Sequence, residues 1–313
     1  MPQGRLAQRT GADVSNPIHL NRDFVGYGAN PPDPQWKPGA ALAVNFVINY
    51  EEGSEPSIPD GDDYSETGLT EGGSPGKGRD LAAESMFEYG SRVGFWRLDR
   101  LLAERGMTAT IYGCALALER NPEVCARIRE RGYDVCAHGW RWEHHQNMPE
   151  DVERERIRRA VESIEKTIGR KPEGWYCRYG PSVNTRRLVV EHGGFLYDSD
   201  AYNDELPYWT RVEGRHHLVI PHGLVNNDTK FIRGAMLTGD DFFQYMKDAF
   251  DVLRRESQTH PKMMTVSLHL RLMGHPGRSV GFERFLDYVA GFPDAWVCQR
   301  QEIARHWWEK FHP

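Results

Sequence analysis

Residues 41–50, ALAVNFVINY, form an apolar run rich in β-branched residues that leads directly into Glu51, Glu52 and Gly53. An apolar run of this kind predicts a strand that is covered on both faces, which is typical of a parallel sheet flanked by helices. In such sheets the functional residues lie at the carboxyl ends of the strands. The run therefore predicts an α/β fold and indicates where its chemistry should be sought.

Strand-like and helix-like segments alternate through the rest of the chain. The predicted strands cover residues 108–112, 134–137, 174–177, 196–198, 217–221, 262–269 and 295–298. The predicted helices cover residues 97–105, 115–131, 150–168, 184–191, 240–258, 281–290 and 301–310. About seven or eight strands with intervening helices favour a parallel sheet that closes into a barrel.

Two segments depart from this alternation. Residues 1–38 are rich in proline, glycine and asparagine, and we expect an extended arm that lies across its own domain or a neighbouring subunit. Residues 39–313 are predicted to form a single domain. Within it, the polar, glycine-rich insertion 54–80 is too long for a passive connector and predicts a lid or rim. The arm suggests a homo-oligomer.

Composition excludes several classes of protein. With 39% hydrophobic and 27% charged residues, the 313-residue chain can bury a core. Its 39 basic and 45 acidic residues give a net charge of −6 with both signs interspersed, so nucleic acid is not an expected partner. The absence of a long apolar run predicts no membrane partner and a cytoplasmic location. Five cysteines without a Cys-x-x-Cys pair indicate reduced thiols rather than a zinc ribbon.

Polar side chains follow most of the predicted strands. One histidine at a strand end is more often a structural residue bonded to backbone, but several polar strand ends on one face indicate a shared site. Carboxylates together with histidines supply what general acid and base catalysis of hydrolysis needs. The strand-end residues are Glu51, Glu52, His138, Arg178, Asp198, Asp200, His222 and His269.

These residues occur within motifs that resemble a known family. Glu51-Glu52-Gly53, His138-Gly139-Trp140, the 178–181 segment and Leu268-His269 follow the order of the polysaccharide deacetylase (NodB-like, carbohydrate esterase family 4) motifs. From about residue 23 to the C-terminus, longer stretches resemble the PuuE-type allantoinase branch of that family. They include VNFVINYEEG, ESMFEYGSRVGFWRL, AHGWRW, NTRRLVVEHGGFLYDSDAYNDELPYW and IARHWWE.

The resemblance implies a deformed (β/α)7 barrel that hydrolyses a carbon–nitrogen amide bond. The branch implies an allantoinase, which opens the hydantoin ring of allantoin to allantoate in purine catabolism, and a homo-oligomer, specifically a tetramer. Alternatives are a polysaccharide or peptidoglycan N-deacetylase and a cyclic imide hydrolase. A catalytically inactive deacetylase-like binding protein is the alternative from a different class.

The resemblance also bears on a metal cofactor. Polysaccharide members of the family hold a divalent metal with an aspartate and a His-x-x-x-His pair, and the matching positions here carry Glu51, Glu52, His138 and Trp142. A tryptophan cannot ligate a metal, and catalytic zinc normally keeps three protein ligands. We therefore expect no metal cofactor. The alternative is a divalent metal such as zinc, held by Glu52 and His138 with His144 or His145 as the third ligand.

The remaining roles follow from this assignment. Glu51 or Glu52 is expected to be the base, with one carboxylate raised in pKa and the other ionised. His269 is the expected proton donor to the leaving nitrogen, and His138 is expected to orient the substrate or polarise its carbonyl. Arg178 would stabilise developing negative charge, and aromatic residues would form a slot for a planar cyclic amide. The predicted substrate-binding residues are Trp140, Trp142, Arg178 and Tyr179, near Trp175 and Tyr176.

Overall fold

The computed structural model describes residues 22–37, 39–73 and 76–313. Most of the predicted N-terminal arm, residues 1–21 and 38, lies outside the described residues. The described part of the arm packs on its own domain: the Trp36 indole is buried and donates a hydrogen bond to the Lys262 carbonyl at 3.0 Å, and the Tyr27 hydroxyl donates to the Pro207 carbonyl at 2.6 Å.

A nine-stranded sheet forms the centre of the fold, with strand order β6-β7-β5-β4-β3-β2-β1-β8 and β9 paired to β1. Every pairing is parallel except that of β6 with β7. All residues of β1 are buried, as the opening run predicts. The strands are β1 Leu42–Tyr50, β2 Thr110–Gly113, β3 Asp134–Ala137, β4 Gly174–Trp175, β5 Tyr197–Asp198, β6 Tyr208–Val212, β7 Arg215–Val219, β8 Lys262–His269 and β9 Ala295–Val297.

Helices cover the outside of the sheet. A single π-helical turn, Gly90–Gly94, joins the first two helices. No helix within the described ranges is long and apolar enough to cross a membrane. The helices are α1 Leu81–Tyr89, α2 Phe95–Glu104, α3 Ala115–Arg120, α4 Pro122–Arg131, α5 Glu150–Ile168, α6 Thr185–His192, α7 Gly239–Glu256, α8 Leu270–Met273, α9 Pro276–Ala290 and α10 Arg300–Phe311.

The structure corrects three sequence-based assignments. The helix predicted over 115–131 divides at Asn121, whose side chain accepts a hydrogen bond from the Val124 N–H while Pro122 begins the second helix. Strand β6 was not predicted; it forms an antiparallel hairpin with β7 through Glu213 and Gly214, both with positive φ. The helical segment 81–94 was also not predicted.

The barrel is closed partly by side chains rather than by strand pairing. Among the described residues, no ladder joins β8 to β6 or β7; a single bridge pairs Asn227 with Ser267 of β8. The fully buried Arg300 guanidinium spans this gap by donating to the Ile220 and Pro221 carbonyls, both at 2.8 Å, and to Thr265 Oγ1 at 2.9 Å. The predicted deformed barrel is thus confirmed, with an incomplete ring of strands.

Candidate active site

Glu51 lies at the centre of a cluster built from three strand ends. It follows β1, His138 follows β3 and His269 ends β8, and the parallel sheet brings these ends to one edge. Glu51 Oε1 lies 3.2 Å from His138 Nε2 and 3.7 Å from His269 Nε2. All three side chains are buried. The fold therefore brings three of the four predicted catalytic residues together around one carboxylate oxygen.

The protonation of the His138 ring is set by its backbone partner. Nδ1 lies 2.9 Å from the Tyr176 carbonyl, which can only accept, so Nδ1 carries a hydrogen. The ring also stacks on Tyr176, with centroids 5.1 Å apart and planes 11° apart. An ionised carboxylate likewise only accepts. A hydrogen bond between His138 Nε2 and Glu51 Oε1 therefore requires one proton in addition to the one on Nδ1, carried either by Nε2 or by the carboxyl group. Glu51 and His138 thus form a pair that can share a proton.

His269 is held by Asp228, a residue that the sequence analysis missed. His269 Nδ1 lies 2.7 Å from Asp228 Oδ1, and the His269 backbone N–H donates to Asp228 Oδ2, also at 2.7 Å. Burial works to lower the pKa of His269, but the charges of Asp228 and Glu51 outweigh it and raise that pKa. The arrangement favours an imidazolium whose Nε2–H points towards Glu51.

Arg271, also missed, bridges the two glutamates. Its Nη1 lies 2.8 Å from Glu51 Oε2 and 3.1 Å from Glu52 Oε1, and the residue is buried. The guanidinium carbon lies 4.4 Å from the Phe87 ring centre and 4.7 Å from that of Trp142. Its position two residues after His269 was the available sequence signal, since that places it at the same strand end.

The pKa values of the two glutamates shift in opposite directions. Burial acts to raise the pKa of Glu51, but Arg271, His269 and His138 together hold it well below the usual range. Burial raises the pKa of Glu52 above its usual range, and the lowering by Arg271 does not compensate for it. One ionised carboxylate beside one of raised pKa is the combination predicted from the sequence.

Glu52 lies behind Glu51 rather than facing the histidines. Its Oε2 accepts from the Glu51 backbone N–H at 3.1 Å, and its Oε1 accepts from Arg271. A Cβ placed on Gly90 would lie 2.6 Å from Glu52 Oε1, so the π turn packs directly on this carboxyl group. Among the hydrogen bonds and ion pairs of the described residues, Glu52 makes none with His138 or His269. Of the two glutamates, Glu51 is the one in contact with the imidazoles.

The predicted substrate-binding residues occupy different environments. Arg178 pairs with Glu66 of the 54–80 insertion at 2.7 Å and stacks 3.5 Å over the ring of Trp142, which is itself buried. Trp140 is also buried, with the Arg159 guanidinium 3.7 Å from its ring centre. Tyr179 is 63% exposed. These four residues therefore do not form one slot: the two tryptophans pack in the core, and Arg178 ties the insertion to it.

His222 is a further histidine beside the cluster. It is buried between the rings of Tyr112 and Tyr176, at centroid distances of 5.3 and 4.8 Å. Burial, together with the charges of Arg300, His138 and His269, holds the pKa of His222 well below its usual value. Its Nδ1 is buried, and no described residue forms a hydrogen bond with it. A neutral imidazole thus adjoins the Glu51 cluster.

Comparison with known proteins identifies the family. Residues 77–197 match the sequence model of the family described as "Polysaccharide deacetylase". A Schizosaccharomyces pombe protein named "Putative polysaccharide deacetylase" is 37% identical over 319 residues, which cover 95% of this chain and 99% of that protein. This chain belongs to the polysaccharide deacetylase family. The resemblance inferred from the motifs is confirmed.

Two solved structures extend the comparison for this deacetylase-family chain. A "probable Polysaccharide deacetylase from Pseudomonas aeruginosa PAO1" is 45% identical with a TM-score of 0.89, covering 93% of this chain and 98% of its own. "Puue Allantoinase" is 44% identical with a TM-score of 0.90, covering 94% and 99%. Deacetylases and allantoinases both hydrolyse carbon–nitrogen amide bonds, and this family member is an enzyme of that kind.

The site residues of this deacetylase-family enzyme do not fit a divalent metal. Trp142 stands at the third ligand position implied by the family, and the Arg271 guanidinium is bound to both carboxylates. His144 Nδ1 lies 2.7 Å from the Tyr179 carbonyl, and His145 Nδ1 lies 3.0 Å from Glu153 Oε1. Among the described residues no hydrogen bond or ion pair joins either ring to Glu52 or His138, and His145 Nε2 is buried there without a partner. No group of three residues that could hold a metal ion occurs within the described part of the chain.

Proposed function

We propose that this enzyme opens a small cyclic amide, with allantoin as the substrate and allantoate as the product. Enclosure of the site carries the proposal: Glu51, His138 and His269 are no more than 6% exposed. The 54–80 insertion covers the neighbouring Arg271, whose Nε and Nη2 donate to the carbonyls of Leu69 and Gly68 at 3.0 and 3.4 Å. A closed site suits a small ring better than a polymer chain. The likeness to an allantoinase at 44% identity supports the same substrate.

The reaction begins with water held by the Glu51–His138 pair. The low pKa of Glu51 makes it ionised but weakly basic, so it orients the water, and the pair together takes the proton as oxygen attacks the ring carbonyl carbon. Negative charge develops on the carbonyl oxygen beside the cationic His269. His269 then donates its Nε2 proton to the ring nitrogen as the carbon–nitrogen bond breaks. The pair returns a proton to His269 and restores the site.

We assign no metal to this reaction. The groups of the chain itself supply the base, the acid and the fixed positive charge, and the donor set around Glu51 is incomplete for a metal. Because these groups can carry out every step, we propose an active hydrolase rather than a catalytically inactive binding protein. The proposal therefore includes a small-molecule substrate, a metal-free mechanism and a role in purine catabolism.

A substrate panel with and without chelator tests it. Allantoin, hydantoin, succinimide and chitooligosaccharides would each be offered to enzyme dialysed against EDTA, and ring opening or acetate release measured. We expect allantoin to be hydrolysed fastest, with EDTA causing no loss. Release of acetate from chitooligosaccharides without turnover of any cyclic amide would instead establish a deacetylase, the function named for two of the relatives.

We also propose a homo-oligomer, with a tetramer as the expected state. The exposed Tyr179, next to the ring of Tyr202 at 5.9 Å, and the partly exposed Tyr202 leave aromatic surface near the site. Sedimentation velocity at micromolar concentration measures the state directly. A monomer under these conditions would contradict the oligomer without bearing on the substrate.

A further inference from the structure

Arg271 is held on all sides by protein groups. Its Nη1 meets both glutamates, Nε and Nη2 donate to two carbonyls of the insertion, and the rings of Phe87 and Trp142 pack beside the guanidinium. Only 2% of the residue is exposed. Four of its five N–H groups thus have protein partners, which fixes the side chain in place and leaves little of it open to a substrate or a water molecule.

The Arg271 guanidinium lies where this chain departs from the metal-ligand pattern of the polysaccharide members of the family. Trp142 stands where the second histidine of the His-x-x-x-His pair would be, and it provides a ring surface against which the guanidinium lies. One oxygen of each glutamate, Glu51 Oε2 and Glu52 Oε1, faces Nη1. A cation buried this close to both carboxylates repels a second cation and engages an oxygen of the carboxylate that would coordinate it.

We propose that Arg271 is a positioning residue that replaces the divalent metal of the polysaccharide-type site: it supplies fixed positive charge between Glu51 and Glu52 and excludes a metal from them. Unlike a metal ion, a covered guanidinium binds no water and polarises no carbonyl. Activation of water is therefore left to the Glu51–His138 pair. Arg271 acts on the reaction through Glu51, and its loss should lower kcat much more than it raises KM.

The first experiment measures metal and does not depend on the substrate. Wild type, Trp142→His, Arg271→Met and the double variant are incubated with Zn²⁺, desalted and analysed for zinc, each also in a Glu52→Gln background. Zinc lost with Glu52→Gln, the carboxylate that would ligate the metal, is assigned to this site, which removes binding by surface histidines from the count. We expect about one equivalent in the double variant, where the carboxylates are freed and an imidazole is added, and far below one in wild type and Trp142→His.

The second experiment measures turnover, and this arm alone rests on the proposed hydrolysis. Arg271→Met should lower kcat for allantoin by about 10² or more. Arg271→Lys keeps a cation, so its kcat should be at least about tenfold higher than that of Arg271→Met. The matched control is Arg105→Met. Arg105 also donates hydrogen bonds to two carboxylates, Asp287 at 2.6 Å and Glu283 at 3.3 Å, but on the outside of the barrel.

The outcomes separate the two proposals. One equivalent of site zinc in wild type or in Trp142→His, with Arg271 intact, overturns the inference, as does an absence of site zinc in a folded double variant. Equal turnover by Arg271→Met and wild type also overturns it. If wild type hydrolyses none of the cyclic amides, the proposed function fails, and zinc uptake still decides the role of Arg271. If the double variant does not fold, the Trp142→His result decides.

Discussion

Asp228 holds His269 at two points, through the ring Nδ1 and through the backbone N–H, each at 2.7 Å. Both carboxylate oxygens are therefore committed to one residue, and Asp228 is fully buried. The contact fixes which ring nitrogen faces Glu51 and favours the charged ring. The contact with Asp228 thus directs the Nε2 proton of His269 towards Glu51. Removing this contact should change the pH dependence of the reaction.

The first prediction concerns Asp228→Asn. The amide carries no charge and can accept only one of the two hydrogen bonds, so the raised pKa of His269 should fall. A general acid works only below its pKa, so the alkaline limb of kcat/KM should move to lower pH and kcat should fall by about 10². A pH profile for allantoin turnover checks both.

A buried aspartate outside the site provides the control. Asp99 accepts from Arg127 at 2.7 Å and from the Tyr133 hydroxyl at 2.8 Å, remote from Glu51 in the fold. Asp99→Asn should reduce stability but leave the alkaline limb where it is in wild type. An unchanged alkaline limb in Asp228→Asn would remove His269 from the role of acid.

The second prediction separates the glutamates. Glu51 touches both imidazoles and is ionised, so Glu51→Gln should lower kcat by about 10² or more. Glu52 has a raised pKa and faces Arg271, and a glutamine there keeps an oxygen for that contact. We expect Glu52→Gln to lower kcat by about tenfold or less. Steady-state kinetics of the two variants, with unfolding curves as the control, check the order; the reverse order would make Glu52 the base.

Sequence patterns predicted the parts of the site that strands position. The run 41–50 is apolar except for Asn45 and Asn49, whose buried amides are hydrogen-bonded, because both faces of β1 are buried, and it placed Glu51 at the strand end. Asp228 could not be found in this way, since it lies in a short turn and meets His269 only through a contact 41 residues away in sequence. The sequence predicts Trp140 and Trp142 as substrate-binding residues because an aromatic residue near a strand end looks the same in sequence whether it faces a cavity or the core.

The third prediction concerns stability and pH. Asp200 Oδ1 accepts from the Cys177 N–H at 3.1 Å, but Oδ2 is buried and has no hydrogen-bond partner among the described residues. Burial, with the ionised Asp198 nearby, raises the pKa of Asp200 from 3.8 to about 8. The folded state thus holds a proton that the unfolded chain releases near pH 4, so this group's contribution is fully present below that pH and is lost as the pH rises towards 8.

Asp200→Asn removes this titration. Wild type should lose up to about 1.4 kcal/mol of unfolding free energy per pH unit through Asp200 between about pH 5 and pH 8, and the variant should show a flatter dependence. Urea unfolding at four pH values across that range measures the slopes. Asp287→Asn, in an ion pair with Arg105 on the outside of the barrel, should keep the wild-type slope. Parallel curves for wild type and Asp200→Asn would show that Asp200 is ionised in the folded protein.

The last prediction concerns Gly90, the first residue of the π turn between α1 and α2. Its φ of −57° is helical, so alanine would ordinarily stabilise the helix by about 1 kcal/mol. The added Cβ, however, would lie 2.6 Å from Glu52 Oε1 and 2.8 Å from Glu52 Cδ, in a closely packed interior. We expect Gly90→Ala to destabilise the fold by about 1–3 kcal/mol and to lower kcat by displacing Glu52 from Arg271. Gly73→Ala, where no heavy atom of the described part of the chain lies within 4 Å of the new Cβ, is the control and should leave both quantities unchanged. Thermal unfolding and kcat of the two variants check this, and a Gly90→Ala enzyme as stable as wild type would mean that Glu52 is free to move away from the turn.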